Sequence, residues 1–419
     1  MGSELLKGFR MLDLTDEKGA LCGKIFADLG ADVIKVEPPE GCPTRRIPPF
    51  LDDLPGPDRS LYALAYHAGK RSITLNLGTA DGRALLADLA ARADFMAESF
   101  PVGHMDSIGL GYEALAKLNP RLIHASITPF GDKGPGAHYK AADIVTWAAG
   151  GMMFLMGEEG KPPIQMSLPQ AGLHAGAEAA VASLIAHYPR EIEGLGQHIV
   201  VNMQACVVWT LMNEQAMPIL HGDYLRRSGV FTGAIGGRRK TVFRCKDGHV
   251  SGLLAGGAYL NSTNALIEWM KEEGAAPEWL MQEGGLKSLT PGAFMDASAE
   301  ALDELERAEE AVERFLMTKT KREAWEQIFK RRILAAPVAT VADIAADPQL
   351  KERGFFAEVD HPGLGRKLTL PGAFAKLSKT PVGPAGAAPQ VGEHNREVYC
   401  GMLGMSPAQM SELRAAGAI

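Results

Sequence analysis

The stretch Met11–Glu37 constrains the fold more than any other part of the chain. Met11–Leu14 is a short apolar run, and Ala20–Leu29 carries apolar side chains at helical spacing and ends before Gly30. Val33–Val36 is apolar and β-branched, which is typical of a strand that is buried on both faces. A strand, a helix and a second strand in so short a stretch predict a βαβ unit, and therefore an α/β fold with a parallel sheet.

Ligands of parallel sheets bind beyond the carboxyl ends of the strands, which here predicts a site near Thr15–Gly23. Gly19 and Gly23 either let a ligand approach the backbone or serve as packing and turn residues. Glu37, at the end of the second strand, would suit the ribose hydroxyl of a dinucleotide. The full G-x-G-x-x-G spacing is absent, so an NAD-dependent oxidoreductase remains only an alternative.

Composition narrows the function classes. The chain has 419 residues, enough for two or three domains, and its net charge of -7 argues against a general nucleic-acid binder. Its five cysteines are odd in number and far apart, which suggests a reducing compartment and shows no zinc spacing. The most apolar window, Trp147–Met156, is short and interrupted by glycines, so we expect no membrane span and a cytoplasmic location.

The α/β rhythm continues after the first unit and changes character near Leu225. Arg226–Lys240 is rich in glycine and arginine and predicts a linker with a mobile loop. We predict a large domain over 1–229, a smaller inserted α+β domain over 230–333, and a return to the large domain with C-terminal helices over 334–419. Further predicted elements are strands at 71–77, 95–97, 122–127 and 198–202, and helices at 80–92, 112–118, 172–188, 204–220, 297–317 and 322–331.

Several short motifs, each a weak signal by itself, occur in the order found in the class III (CaiB/BaiF-like) CoA-transferase family. Through them the chain resembles that family nearly from end to end. This resemblance implies a Rossmann-like large domain built from both ends of the chain, a small inserted domain, and an intertwined ring-like dimer. The motifs are Gly30–Glu37, Lys70–Ser72, Glu98–Phe100 with Gly103, Asn119–Ile123, Gly134–Pro135, Gly194–His198, Asp347–Pro348 and Gly392–His394.

The resemblance also implies that coenzyme A or an acyl-CoA binds as substrate, with no metal. Lys18 and Gly19 would border the thioester, while basic residues would approach the nucleotide, whose phosphates need cations and backbone donors. A simpler interpretation is that Arg45, Lys70 and Arg71 are charged loop residues exposed to solvent. Ser99 and Ser107 stand where the family commonly has asparagine and arginine. The other implied contacts are Arg45, Lys70, Arg71, Ser99, Phe100 and Lys140.

The family's nucleophile is an aspartate in an Asp-x-x-x-Gly segment before an alanine-rich helix, and it carries CoA as an aspartyl thioester. Here that segment places Gly172 at the nucleophile's position, before Gly176. Glycine has no side chain that could form an adduct. Asp143 matches an acidic position of the family and is expected to bind substrate or order the site. An acyl-CoA racemase would need a histidine directly before that aspartate. Here the residue before Asp143 is Ala142, which argues against a racemase.

A family member without its nucleophile predicts one subunit of a heteromeric CoA-transferase, with a homologous catalytic subunit as partner in a heterodimer or heterotetramer. The expected reaction moves CoA from succinyl-CoA to an aromatic succinate such as benzylsuccinate. A loop containing Gly233, Gly236 and Gly237 would cover the thioester. If the CoA pocket is intact, Gly172→Asp should allow a CoA adduct.

Two further alternatives remain open. The first is a self-sufficient CoA-transferase or acyl-CoA enzyme that uses another carboxylate, among Asp143, Glu158 and Glu159. His174, two residues from the nucleophile's position, is instead interpreted as a packed or surface histidine. The second alternative is a non-enzymatic scaffold that binds CoA. Neither alternative nor the main hypothesis involves nucleic acid or a membrane.

Overall fold

The computed structural model of the chain describes residues 3–212, 219, 222, 225–232, 239–252, 254, 256, 259–281, 286 and 298–419. Two compact units divide the chain. The first comprises Met1–Met152, Gln165–Met212 and Pro348–Ile419, and the second comprises Met153–Ile164 and Asn213–Asp347. The first unit is therefore assembled from three separate stretches, including both ends of the chain.

The first unit opens with the predicted βαβ unit. It consists of β1 (Arg10–Leu14), α1 (Ala20–Asp28) and β2 (Asp32–Glu37), and β1 and β2 pair in parallel. Gly30 ends the helix with φ +93°, and a Cβ at this position would collide with the carbonyl oxygen of Ser3. Only glycine suits both the left-handed backbone and this close approach. The prediction for Met11–Glu37 is confirmed.

Six parallel strands form the sheet of the first unit in the order β3-β2-β1-β4-β5-β6. The four later strands are β3 (Arg71–Thr74), β4 (Phe95–Glu98), β5 (Ile123–Thr128) and β6 (His198–Asn202). This is the doubly wound order, in which the chain reverses direction across the sheet between β1 and β4. The predicted strand at 71–77 is shorter in the structure, where it ends at Thr74.

Helices cover both faces of this sheet. One face packs in a core that contains Met96, Leu115 and Leu122, and on the other face α1 lies against the longest helix. The helices of this unit are α2 (Leu61–Tyr66), α3 (Ala80–Ala90), α4 (His104–Ser107), α5 (Tyr112–Leu118), α6 (Asp143–Ala149), α8 (Ala171–Glu193) and α9 (Met203–Trp209). The short helix α7 (Met152–Leu155) belongs to the second unit except for its first residue. Short 3₁₀ turns occur at Pro43–Arg46, Leu51–Asp53 and Pro362–Leu364.

The second unit has a small antiparallel sheet and its own core. Strands β9 (Val242–Cys245), β10 (Gly248–Gly252) and β11 (Ala335–Pro337) pair in the order β11-β10-β9, and β7 (Phe231–Thr232) pairs with β8 (Arg239–Lys240). Trp269 is buried in this core. The helices are α10 (Leu260–Glu272), α11 (Glu278–Met281), α12 (Ala299–Leu316), α13 (Lys321–Arg331) and α14 (Val341–Ala346).

The C-terminal stretch returns to the first unit. It contains α15 (Pro348–Glu352), the antiparallel pair β12 (Phe356–His361) and β13 (Arg366–Pro371), a π-helix over Glu397–Met402, and α16 (Pro407–Ala415). Within the described part of the chain, none of the helices combines the length and apolar character that a membrane crossing requires.

Candidate functional site

The candidate site lies where β1 and β4 diverge, at the carboxyl ends of the sheet. Leu14 and Glu98 are opposite each other in the register of the two strands, and the chain leaves both in loops. Crevices of this kind are the usual ligand sites of doubly wound sheets. The predicted residues Lys18, Gly19, Ser99 and Phe100 all follow these two strand ends.

Ser99 joins the two loops. Its hydroxyl donates a hydrogen bond to Asp16 Oδ1 at 2.7 Å and accepts one from the Asp16 backbone N–H at 2.8 Å. The same carboxylate accepts the Lys18 backbone N–H at 3.0 Å and forms an ion pair with the Lys18 ammonium group. Ser99, at the position where the family commonly has asparagine, therefore holds the Asp16–Lys18 turn in place.

Gly172 is the second residue of α8 and packs directly against that turn. A Cβ on Gly172 would lie 2.6 Å from the Glu17 carbonyl oxygen and 3.1 Å from Lys18 Cα. Both neighbours belong to the backbone, so a side chain fits only if the turn moves. The space that an aspartate would need is filled by the chain itself.

Asp143 organises the start of α8. Its Oδ1 accepts the Gly172 N–H at 3.0 Å and its Oδ2 accepts the Gln170 N–H at 3.1 Å. A carboxylate that satisfies backbone donors at a helix start stabilises the helix and complements its dipole. Of the two roles expected for Asp143, ordering the site is the one that these contacts support.

Gly19 also lies at a close approach. A Cβ there would lie 2.5 Å from Ile127 Cδ1 and 2.7 Å from Thr15 Cγ2. Gly23 likewise faces the Asp13 carboxylate, with no room for a side chain. Of the two interpretations of these glycines, the structure supports packing of α1 onto the sheet.

Lys70 lies beneath the site in a buried charge cluster. Its ammonium group donates to Asp13 Oδ2 at 2.6 Å and to the Ala20 carbonyl at 3.0 Å, and Lys35 lies 3.2 Å from Asp13 Oδ1. Burial would raise the pKa of the Asp13 carboxyl, but the two ammonium groups outweigh it and hold that pKa below its usual range. Burial, with the charge of Lys35, lowers the pKa of Lys70. In this arrangement the Lys70 ammonium group faces the interior.

Arg45 and Glu37 form a second buried pair. The guanidinium donates through Nε at 2.6 Å and through Nη2 at 2.7 Å to the Glu37 carboxylate, and through Nη1 at 3.0 Å to Asp58. Burial favours the neutral acid, but the Arg45 hydrogen bonds outweigh it, so the pKa of Glu37 falls to about 2. Because the Glu37 carboxylate is fully engaged, it does not offer the free acceptor that the dinucleotide alternative needs.

The remaining expected contacts lie closer to solvent. Arg71 forms a bidentate pair with Asp32, at 2.8 and 2.6 Å, and is partly exposed. The half-buried ring of Phe100 lies 4.8 Å from that of His104, and Lys140 is exposed. Gly233, Gly236 and Gly237 lie outside the described residues.

Of the other residues weighed as substitutes, His174 and Glu158 have local partners. The His174 ring stacks on the Trp147 ring with centroids 6.2 Å apart, which supports the first option of its interpretation as a packed or surface histidine. Glu158 pairs with Lys161 at 2.6 Å and, like Glu159, is exposed and belongs to the second unit.

Glu17 is a site residue that the sequence analysis passed over. Its carbonyl adjoins Gly172 and accepts a hydrogen bond from the Tyr62 hydroxyl at 3.3 Å, and its side chain is exposed. Only contact with α8, far away in sequence, identifies it. Among the described residues, no group of three or more histidine, cysteine or acidic side chains is placed to hold a metal ion.

Comparison with known proteins agrees with this architecture. A sequence model of CoA-transferase family III matches residues 6–395. The chain is 33% identical over 404 residues to the succinyl-CoA:(R)-benzylsuccinate CoA-transferase subunit BbsE of Thauera aromatica, which covers 96% of this chain and 95% of the relative. It is 32% identical to the formyl-CoA:oxalate CoA-transferase of Streptomyces avermitilis over the full length of both. A crystal structure of a CaiB/BaiF family protein from Brucella suis superposes with a TM-score of 0.81 at 28% identity, covering 95% of this chain and 99% of that one.

Proposed function

The chain belongs to CoA-transferase family III, and on that premise we propose that it is the subunit without a nucleophile in a heteromeric CoA-transferase. Its partner is a homologous chain that carries the nucleophilic carboxylate. That carboxylate attacks the donor thioester and releases CoA, and the resulting anhydride then takes CoA back as an enzyme thioester while the donor acid leaves. The acceptor carboxylate completes the transfer by the reverse steps.

The packing of Gly172 is the observation that carries this proposal. The nucleophile's expected position has no side chain, and the Glu17 carbonyl occupies the space that one would need. The nearby carboxylate, Asp143, already accepts two backbone N–H groups. A similar protein of Thauera aromatica is named as a subunit, which supports a division of labour between two chains.

We propose that CoA or its thioester binds at the crevice between β1 and β4. The thioester end lies among Lys18, Gly19, Ser99 and Phe100. Lys140, which is exposed, adds a positive charge from the solvent side. Arg45, Lys70 and Arg71 are each already paired with a carboxylate, Arg71 at the amino end of β3, so in this proposal each would reach the nucleotide only after leaving that partner.

For the acyl donor and acceptor we propose succinyl-CoA and an aromatic succinate such as benzylsuccinate. The support is the name of one relative at 33% identity. Relatives named for formyl-CoA and oxalate, or for succinyl-CoA and mesaconate, match at comparable identity. The donor and acceptor are therefore the part of the proposal that assays of the complex must decide.

A self-sufficient enzyme is the second candidate, and Glu17 is the observation that favours it. Its exposed carboxylate belongs to the turn that packs on Gly172, and glutamate is chemically competent as a nucleophile. In such an enzyme the nucleophile would have moved from α8 to the facing turn.

The test is native mass spectrometry of the complex from the source cells, followed by peptide mass spectrometry after incubation with succinyl-CoA. We expect a complex of this chain with a different chain of similar mass, and a CoA adduct on the partner alone. An active homodimer of this chain would overturn the proposal.

Two matched variants separate the candidates when each is made both in the purified chain and in its complex with the partner. Glu17→Gln would abolish the activity of a self-sufficient enzyme, whereas Asp143→Asn, which retains an oxygen acceptor, would lower it through disorder at the start of α8. In a heteromer whose nucleophile lies on the partner, both variants retain the adduct on the partner.

A further inference from the structure

A pocket lies at the start of α8, next to Gly172. It is lined mainly by residues of α6 and of the segment 165–169 that precedes α8, and all of its residues belong to the first unit. Asp143 lines the pocket and accepts the Gly172 N–H at 3.0 Å, so the pocket adjoins the expected position of the nucleophile and is part of the candidate site. We call it the Trp147 pocket and define it by Asp143, Ile144, Trp147, Met166 and Leu168.

The walls of the Trp147 pocket are largely apolar. Its volume is about 290 Å³, and apolar cavities of about 150 Å³ can hold a benzene ring. Ile144, Met166 and Leu168 are 46%, 45% and 68% exposed, so a large part of their apolar surface is left uncovered by the chain. Exposed apolar side chains that gather around one cavity are typical of a binding site for an apolar group.

The charge of the wall argues against an acidic group inside the pocket. Asp143 carries a carboxylate, and no lysine or arginine is among the described residues that line the pocket. The Asp143 carboxylate is held in place by the N–H groups of Gln170 and Gly172. A second carboxylate or a phosphate beside it would be repelled, with no cation in the wall to offset the repulsion. The group that enters the pocket is therefore not an anion.

Trp147 adds a polar group to this wall. The residue is 4% exposed, and its indole N–H has no hydrogen-bond partner among the residues that the structure describes. A buried N–H group without a partner is destabilising, so native proteins usually pair it with protein, water or a ligand. The indole nitrogen is a donor only, so the group that enters the pocket has to accept a hydrogen bond.

An aromatic ring is apolar and uncharged and can also accept this N–H group. The faces of the ring carry partial negative charge and accept N–H donors weakly. An alkyl group of the same size is apolar but offers no acceptor, and an ammonium group is itself a donor. The Trp147 pocket therefore favours an aromatic ring over both of these groups.

We propose that the Trp147 pocket binds the aromatic ring of an aryl-substituted acid or acyl group, with the indole N–H of Trp147 directed at the face of the ring. This inference rests on the proposed function for the acid or CoA thioester that carries the ring. The carboxylates of such an acid stay outside the pocket, away from Asp143. Trp147 thereby distinguishes aromatic from aliphatic acyl groups and takes no part in making or breaking bonds.

The experiment uses the full chain and two probes of similar size that carry the same hydroxyl group, benzyl alcohol and cyclohexylmethanol. The hydrophobic effect alone would favour cyclohexylmethanol, which has the larger apolar surface. We expect benzyl alcohol to bind about two- to fivefold more tightly, because only its ring accepts the indole N–H. In NMR spectra the indole proton of Trp147 should move upfield with benzyl alcohol, since it lies over the ring face, and should move less with cyclohexylmethanol.

Two matched variants complete the test. Trp147→Phe removes the N–H group but keeps an aromatic side chain, and it should abolish the preference for benzyl alcohol. Trp325→Phe, at an exposed tryptophan of α13, is the control and should retain the preference. Tighter binding of cyclohexylmethanol to the wild type, or an unchanged preference in Trp147→Phe, would overturn the proposal. So would loss of probe binding in the complex, since the partner subunit would then cover the pocket.

Binding of CoA, measured by calorimetry, tests the proposed function separately. If CoA binds and the two alcohols bind equally, the inference about Trp147 is wrong while the CoA site stands. If the alcohols are distinguished as expected and CoA does not bind, the ring pocket is supported and the proposed CoA site is wrong.

Discussion

At the scale of single residues, the surroundings of Gly172 fit a glycine and no larger residue. The turn at Glu17 and Lys18 lies against the glycine and leaves no space for a Cβ. From the sequence we expect Gly172→Asp to allow a CoA adduct if the CoA pocket is intact. The structure adds a second condition, because the turn at Glu17 and Lys18 would have to move to make room for the aspartate.

We therefore expect Gly172→Ala to lower the free energy of unfolding by about 1–3 kcal/mol, because overpacking against a backbone carbonyl forces the turn to shift. Gly172→Asp should form no CoA adduct with succinyl-CoA, as read by peptide mass spectrometry. The control is Gly401→Ala, a helical glycine whose Cβ would meet nothing within 4 Å. An adduct on Gly172→Asp would mean that the turn opens readily and that the CoA pocket is intact.

Glu98 makes the stability of the chain depend on pH. Burial raises its pKa from 4.5 to about 7, so the folded chain binds this proton more tightly than the unfolded chain does. Its contribution is full below pH 4.5 and is lost as pH rises to about 7. The loss is on the order of 3 kcal/mol.

Urea unfolding from pH 4.5 to 8 checks this prediction. Relative to Glu98→Gln, the wild type should lose stability over the interval that ends at its pKa of about 7. Parallel stability curves for the two proteins would show that the folded environment does not hold the proton.

At the scale of elements, α8 has one face that packs on α1 and the sheet and another that faces solvent. Its outward positions Val181, Ile185, Tyr188 and Ile192 recur at helical spacing and are each more than half exposed. A continuous apolar stripe of this kind is typical of a protein interface. In the heteromer that we propose, we expect this stripe to contact the homologous subunit.

Accordingly, Ile185→Glu should weaken the complex with the partner subunit, while the thermal stability of the isolated chain changes little. In the complex the introduced carboxylate would be buried without a partner, whereas on the isolated chain it remains in water. Native mass spectrometry of the complex is the measurement. Leu118→Glu, at an exposed apolar position of α5, is the matched control, and equal effects of the two variants would contradict the assignment of this face.

At the scale of the whole molecule, the end of the chain closes the large sheet at β3. Asn395 Oδ1 accepts the Thr74 N–H at 2.9 Å, its Nδ2 donates to Thr74 Oγ1 at 2.8 Å, and the Tyr399 hydroxyl donates to the Thr74 carbonyl at 2.6 Å. The Gly392 and His394 N–H groups donate to Ser72. The closing Gly392–His394 motif thus covers a sheet edge that would otherwise remain open.

Asn395→Ala should therefore lower the free energy of unfolding by about 2–4 kcal/mol, because it leaves two buried partners on β3 without hydrogen bonds. Denaturant unfolding measures the change, and Arg396→Ala, at the adjacent exposed position, should stay within about 0.5 kcal/mol of the wild type. Equal stability of the two variants would show that the C-terminal stretch does not hold the sheet edge.

The sequence by itself determined the elements and their order. The βαβ unit at Met11–Glu37, β6 at His198–Asn202 and the helix that begins near Gly172 all follow from apolar spacing and from glycines at helix ends, which act over a few residues. The absence of an aspartate at position 172 was also visible in the motif alone. These features depend on patterns within a few residues, which can be read from the sequence without knowledge of the fold.

Only the tertiary structure decided how the charged and polar residues are used. Lys70 and Arg45 read as free cations in sequence, yet they are buried against Asp13 and Glu37. Likewise, no local pattern brings Glu17 to Gly172 or joins Trp147 and Met166 in one pocket. The physical reason is that burial and the choice of partner arise from contacts between segments that are distant in sequence. The sequence therefore shows which side chains are charged, but not whether each charge is paired with protein, bound to a ligand or solvated.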